Sequence, residues 1–272
     1  MLKRLTRWPL LGRLLAFVGL VLLVWLPVVA FLRPFLDGDG SIRSLATGIL
    51  YLQFVGVLYF WGRAVRGEPD PWRLYGLQCN RRWGQEVLLG WSLGVGALFG
   101  LLTLQASWGW LYWQSPPSWR VVGEGLALGV GVALAEELLF RGWLWQELYQ
   151  DYGVSGAVWG SSGIFALAHF FHPPEVLVRI WPQFPGLWVL GLALAWGRLA
   201  CGGRLGWPIG FHAGLVTAYY WVRVGHWLGV NPELPPWLTA VETNPLASPL
   251  GFVAMATVAW GTRRWADRRI HG

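Results

Sequence analysis

Charge is scarce in this chain. Only 13% of its 272 residues are Asp, Glu, Lys or Arg, where soluble domains carry about a quarter. That shortage excludes an ordinary water-soluble globule. Hydrophobic residues make up 55%, more apolar surface than a core of this size could hide, whereas a bilayer could take it. Cysteine is almost missing: Cys79 and Cys201 are the two present. Neither belongs to a C-x-x-C pair, which speaks against a disulfide scaffold or a zinc knuckle. Lysine is scarce too, and the net charge of +7 comes almost wholly from arginine. Those arginines sit between apolar runs and form no RNA- or DNA-binding motif. The positive balance reads as loop charge of a membrane protein, and no nucleic-acid partner is expected. A soluble domain, a low-complexity linker and an internal repeat are also lacking.

What is abundant is tryptophan, with 22 residues, a ring that favours the membrane–water interface because its N–H can stay wet. Long apolar runs are the other abundance. A bilayer core of about 30 Å needs roughly 20 apolar residues per helix. Eight runs approach this: 10–33, 45–63, 86–106, 121–146, 155–171, 184–201, 205–224 and 247–262, the fifth and eighth being short. The first follows Lys3, Arg4 and Arg7; it is too long for a signal-peptide core and lacks a small-x-small site, so it reads as an uncleaved span. The runs are continuous rather than alternating, which favours helices over a barrel. The expected fold is all-α, a polytopic transmembrane bundle of about eight spans, with residues 1–272 as a single membrane domain.

Arg and Lys set the expected orientation. With a cytoplasmic N-terminus, 16 of the 21 fall on the inside. Arg33, Arg43, Arg120, Arg179 and Arg223 are the 5 outside. This split predicts a multi-pass protein of the cell membrane with both termini cytoplasmic. Residues 64–85 hold Arg66, Trp72, Arg73, Arg81 and Arg82, a basic segment suited to an anionic lipid surface. Gly96 with Gly100, Gly125 with Gly129, and the run Gly206, Gly210, Gly214 have the spacing of close helix contacts in lipid, though so glycine-rich a chain shows such spacings by composition as well.

The fourth run reads GVALAEELLFRGWLWQEL. A charge at a helix centre costs roughly 2.5–3.5 kcal/mol on insertion scales. Glu137 and Arg141 are four apart and can share one helix face, which reads as a structural ion pair. Glu136 points about 100° away and has no cation at helical spacing. It is either an inert, protonated carboxyl or a functional group. His169 lies in FALAHFFHPPE on the fifth run. Glu136 and His169 are nearly equidistant from a turn at Tyr152–Gly153, about 24 Å along each helix. The pair is therefore expected to meet within the membrane as a carboxylate–imidazole unit, although a lone histidine would read as one bonded to a carbonyl. His172 stands beside Pro173 and Pro174 at the helix end, without a third nearby ligand, and reads as interfacial. His212 is the imidazole of the seventh run, roughly 13 Å from a Gly202–Gly203 turn and shallower by this counting. His226 lies past the end of that run.

These residues resemble a known family, the CPBP intramembrane proteases, which include the type II CAAX prenyl endopeptidases and Abi-type bacterial proteins. The motif Glu-Glu-x-x-x-Arg is matched by Glu136, Glu137 and Arg141, Phe-x-x-x-His by Phe165 and His169, and a later histidine by His212. The resemblance spans about 120–225. It implies an eight-helix bundle with a polar cavity open to the cytoplasm, and intramembrane endopeptidase activity on a peptide or membrane-protein substrate, with a prenylated C-terminus among the options. Glu136 would activate a water, His169 and His212 would position the water or the oxyanion, and Arg141 would pair with Glu137 to shape the site. Zinc on Glu136, His169 and His212 with water as fourth ligand and metal-independent acid/base catalysis are both allowed. One position departs: Val216 stands where the family often has Asn, and valine offers no donor to an oxyanion; Thr217 is adjacent but on another helix face. Two further readings stay open, a non-catalytic scaffold or immunity-type protein of the same fold, and a proton-coupled transporter, which the lack of repeated halves disfavours.

Overall fold

The computed structural model describes residues 2–33, 40–239 and 244–271. The side chain of Arg43, counted above among the outer charges, lies outside the described residues. The fold is an all-α bundle. Its helices are α1 (Leu10–Leu32), α2 (Gly40–Phe60), α3 (Pro71–Leu74), α4 (Arg81–Ser107), α5 (Trp119–Glu137), α6 (Trp145–Ala168), α7 (Pro174–Ile180), α8 (Phe184–Ala200), α9 (Gly206–Arg223), α10 (Pro236–Thr239) and α11 (Pro249–His271). Helix occupies each of the eight expected places. Among the described residues, four stretches are long and apolar enough to cross a membrane: Leu10–Leu32, Leu45–Val65, Arg81–Ser107 and Pro174–Ala200. The remaining long helices carry their own charges, such as Glu136 and Glu137 in α5, Glu147 and Asp151 in α6, and Arg263 and Arg264 in α11. Their hydropathy falls accordingly, which is the difference from the expectation of about eight.

The chain forms two compact units, Met1–Tyr75 and Gly76–Gly272. In the first, α1 meets α2, which continues through a wide π-type turn, Trp61–Val65. Trp61 packs edge-on against Phe17 at 5.4 Å, and Tyr75 donates its hydroxyl to the Leu58 carbonyl at 3.2 Å. Asp70 caps α3 by accepting from the Arg73 amide, a standard use of a side-chain oxygen at a helix start.

The second unit is organised around α9, which is buried along most of its length and packs on α4, α5 and α8. Small residues make this closeness feasible. A Cβ on Gly129 of α5 would come within 2.8 Å of the Ala213 carbonyl oxygen. One on Gly206, at the start of α9, would meet the Trp83 carbonyl oxygen at the same distance. Gly210 and Gly214 face the backbone of α4 at Val87 and Trp91, and Gly125 faces Trp221. Gly96 and Gly100, by contrast, have nothing near them; the α4 glycines that touch α9 are Gly90 and Gly94. The expected ridge on α4 thus lies six residues earlier in the chain and on a different face.

The turns fall where expected. Gly153 (φ 65°) breaks the run between Trp145 and Ala168, and Gly202 and Gly203 (φ 66° and 88°) join α8 to α9. These left-handed angles favour glycine because it lacks a Cβ. Arg204, just after that turn, donates from Nε to Glu86 Oε2 of α4 at 3.0 Å. Among the described residues, β1 (Leu111–Trp113) and β2 (Leu228–Val230) pair antiparallel at the opposite end, with Tyr112 opposite Gly229. Phe99, Trp113 and Trp227 cluster there with centroids 5.3–6.0 Å apart.

Candidate active site

Helix α5 ends at Glu137, and the chain continues through a π-type turn, Leu138–Leu144, into α6. Such widened turns often occur at functional sites, since the extra residue re-aims side chains. Glu136 and Glu137 immediately precede this one, and they face different surroundings.

Glu137 is fully buried, as is Arg141. Arg141 Nη1 donates to Glu137 Oε1 at 3.0 Å, the pairing that the four-residue spacing predicts. Arg141 also donates from Nη2 to the Gly191 carbonyl of α8 at 3.2 Å and stacks over the Phe165 ring at 4.2 Å. A second ligand reaches the same carboxylate: His212 Nδ1 lies 2.9 Å from Glu137 Oε1. A carboxylate accepts only, so Nδ1 carries the proton and donates. Imidazole held this way has a fixed ring plane and turns its other nitrogen to the site. The network joins α5, α8 and α9 through one carboxyl oxygen.

Glu136 is less enclosed, with 29% of its side chain exposed. Its Oε2 is buried and has no hydrogen-bond partner among the described residues. It stands 3.9 Å from His212 Nε2. That gap is too long for a direct hydrogen bond and short enough for one water to bond to both groups.

His169 closes α6. Its Nδ1 lies 2.8 Å from the Phe165 carbonyl, so Nδ1 donates to that oxygen and Nε2 is the nitrogen left for other chemistry. Phe165, fully buried, sits between the imidazoles, with centroids 4.8 Å from His169 and 5.9 Å from His212. Both histidines line a cavity of about 170 Å³, together with Phe165, Leu190, Val216 and Asn244. A wider groove of about 520 Å³ lies between α4, α9 and α11, at Leu93, Phe211 and Trp265. It is lined almost entirely by apolar side chains, whereas the small cavity carries both imidazoles.

The expected meeting of Glu136 with His169 takes a different form. Among the described residues no hydrogen bond or ion pair joins them; Glu136 approaches His212 instead. Counting depth from each turn placed His212 too shallow, because α9 enters straight from Gly203 into buried surroundings and stands at the middle of its unit. The zinc alternative meets a similar geometry. Among the described residues no group of three His, Cys, Asp or Glu is close enough to hold a metal ion. His212 gives Nδ1 to Glu137 and His169 gives Nδ1 to a carbonyl, which leaves Nε2 of each ring for other partners. His172 and His226 are exposed and do not line the cavity. Thr217 is buried beside Gly129 of α5, off the cavity that Val216 lines. Asn244 went unnoticed in the sequence, since a lone Asn in a Pro-rich loop carries no spacing signal.

Residues 117–218 match the family described as type II CAAX prenyl endopeptidase Rce1-like. The matched segment contains Glu136, Glu137, Arg141, Phe165, His169 and His212, so the resemblance to CPBP and CAAX proteases holds over α5, α6, α8 and most of α9. No curated protein and no solved structure matches the chain.

Proposed function

We propose that this membrane protein is an intramembrane endopeptidase of the CAAX type, using the segment 117–218 that matches that family. The observation that carries the reading is the pair of imidazoles at one cavity, with Glu136 Oε2 facing His212 Nε2 across 3.9 Å. A water held between those atoms gives its proton to Glu136 as its oxygen adds to the substrate carbonyl carbon. His212, oriented by Glu137, stabilises the charge that develops, and His169 directs Nε2 at the same space. When the tetrahedral intermediate collapses, the C–N bond breaks and Glu136 returns the proton to the leaving amine.

The charge distribution supports a multi-pass topology of about eight spans with both termini in the cytoplasm. The fourth span then runs inward, and Glu136 lies in its cytoplasmic half. The substrate is a peptide or membrane protein that enters from that side, a prenylated C-terminus being the first class to try.

A second reading has one observation in its favour. Val216 lines the cavity and offers no hydrogen bond there, as a scaffold that has lost its chemistry would. Comparing peptides released by cells that express the wild-type chain or Glu136→Gln at equal abundance separates the two. Peptides that disappear with the variant support proteolysis; identical profiles sink it and leave the scaffold.

A further inference from the structure

The cavity that holds His169 and His212 has a wall of hydrocarbon at Leu187, Leu190, Leu215 and Val216. An oxyanion formed there would need a hydrogen-bond donor besides the imidazoles, because charge in so apolar a space is costly. Two other polar side chains reach the lining, Tyr219 and Asn244. The Tyr219 hydroxyl accepts from Arg223, which leaves its own hydrogen to donate. Asn244 is differently placed. Its Oδ1 accepts from the Leu246 amide at 3.0 Å, which identifies that atom as oxygen and the other as the NH2 group. The NH2 group has two hydrogens. Its contact is with Gln183 Oε1 at 3.5 Å, the outer limit of a hydrogen bond.

The turn that follows Asn244 is held by hydrogen bonds and close packing. Ser248 donates its hydroxyl to the Pro245 carbonyl at 2.7 Å and accepts from the Gly251 amide at 2.9 Å. Gly186 of α8 lets the backbone of Leu246 come so close that a Cβ there would lie 3.1 Å from the Leu246 carbonyl carbon. A donor fixed in advance needs no reorganisation when charge appears, which is the condition for effective oxyanion stabilisation.

We propose that Asn244 supplies the amide donor of this site, its Nδ2 hydrogen-bonding the oxygen of the scissile carbonyl. Water oxygen bonds to the carbonyl carbon, the carbonyl π pair moves onto oxygen, and Nδ2–H meets that negative charge. The donor thus comes from the loop before α11, across the cavity from α9, where Val216 has none. This assignment rests on the endopeptidase reading and adds a residue that lies outside the matched segment 117–218.

The test uses the full chain in proteoliposomes and a fluorogenic peptide ending in a prenylated CAAX sequence. Asn244→Asp keeps an acceptor for the Leu246 amide and the side-chain size but puts an oxygen where the donor stood. It is expected to lower kcat by about 10²–10³-fold with KM within about twofold, the pattern of a contact made in the transition state. Its thermal midpoint should match wild type. Adding Val216→Asn to this variant, which places an amide on the α9 wall of the same cavity, should recover at least a tenfold part of the loss. Wild-type kcat in Asn244→Asp overturns the assignment. So does a loss accompanied by a lower midpoint, or one that Val216→Asn does not relieve, because either describes a loop support. A wild-type chain that leaves the peptide intact overturns the endopeptidase reading on which the assignment depends.

Discussion

Glu136 and Glu137 are adjacent in sequence and opposite in circumstance. The region behind Glu137 is closed: its carboxylate takes hydrogen bonds from Arg141 and His212, and all three side chains are buried. Glu136 is less enclosed, with 29% of its side chain exposed and His212 Nε2 3.9 Å from its Oε2. The Oε2 atoms of both glutamates are buried without a partner among the described residues, so the difference lies in the two bonds that Glu137 Oε1 accepts. A helix rotates about 100° per residue, so consecutive positions look into different surroundings. Here the rotation puts Glu137 into the hydrogen-bonded framework and turns Glu136 towards the far nitrogen of His212. The comparison teaches that adjacent carboxylates of one motif differ in how far their lone pairs are already committed to the fold.

The sharpest way to break the comparison is Glu136→Gln. It retains shape and one acceptor oxygen but removes the proton acceptor. Turnover of the prenylated peptide should fall by about 10²–10⁴-fold, the usual worth of a positioned general base, with the thermal midpoint unchanged. A variant that still turns over, or one that melts early, would erase the distinction between the glutamates. Arg141→Ala tests the other side. It leaves Glu137 buried without its cation and removes the guanidinium stacked on Phe165. Breaking a buried pair this way costs about 3–5 kcal/mol, so loss of folded protein is expected, measured as abundance in the membrane and as a lowered unfolding midpoint. Normal stability with lost activity would instead move Glu137 and Arg141 into the chemistry.

Much of this was legible in the sequence. Glu137 and Arg141 sit four apart on one helix, and local spacing survives folding. Phe165 and His169 sit four apart as well, and the ring contact between them is of the same local kind. Gly153 and the Gly202–Gly203 turn were visible because left-handed angles call for glycine. What a sequence does not hold is the lateral arrangement of helices. His212 could not be assigned to Glu137, because the depth count starts every helix at the same level and knows nothing of which neighbours α9 meets. The paired strands at Leu111–Trp113 and Leu228–Val230 are three residues each, too short to show a period of two. Asn244 meets the cavity because Leu246, two residues on, packs against Gly186 of α8.

Helix packing extends the contrast between closed and open faces to smaller effects. Gly129 of α5 faces α9, where an added Cβ would stand 3.1 Å from the Thr217 amide nitrogen and closer still to its hydroxyl. Gly129→Ala should therefore cost about 1–3 kcal/mol by overpacking. It also pushes on the helix pair that brings Glu137 to His212, so a fall in kcat is expected alongside the lower midpoint.

Gly96→Ala is the matching control. Gly96 lies on α4, in a spacing that suggests a packing ridge, yet an added Cβ meets nothing within 4 Å. Alanine is favoured over glycine within a helix by up to about 1 kcal/mol, and no contact opposes it, so the variant should hold or slightly raise the midpoint. Gly96 does line the wide apolar groove beside Leu93 and Trp265, where one methyl adds little to so large a space. Unchanged turnover with Gly96→Ala, set against reduced turnover with Gly129→Ala, would place the sensitive surface on the side of α9 that faces α5. A clear loss from Gly96→Ala would show that the open face of α4 is covered in the membrane and that the glycine spacing there reports a contact made with something besides this bundle.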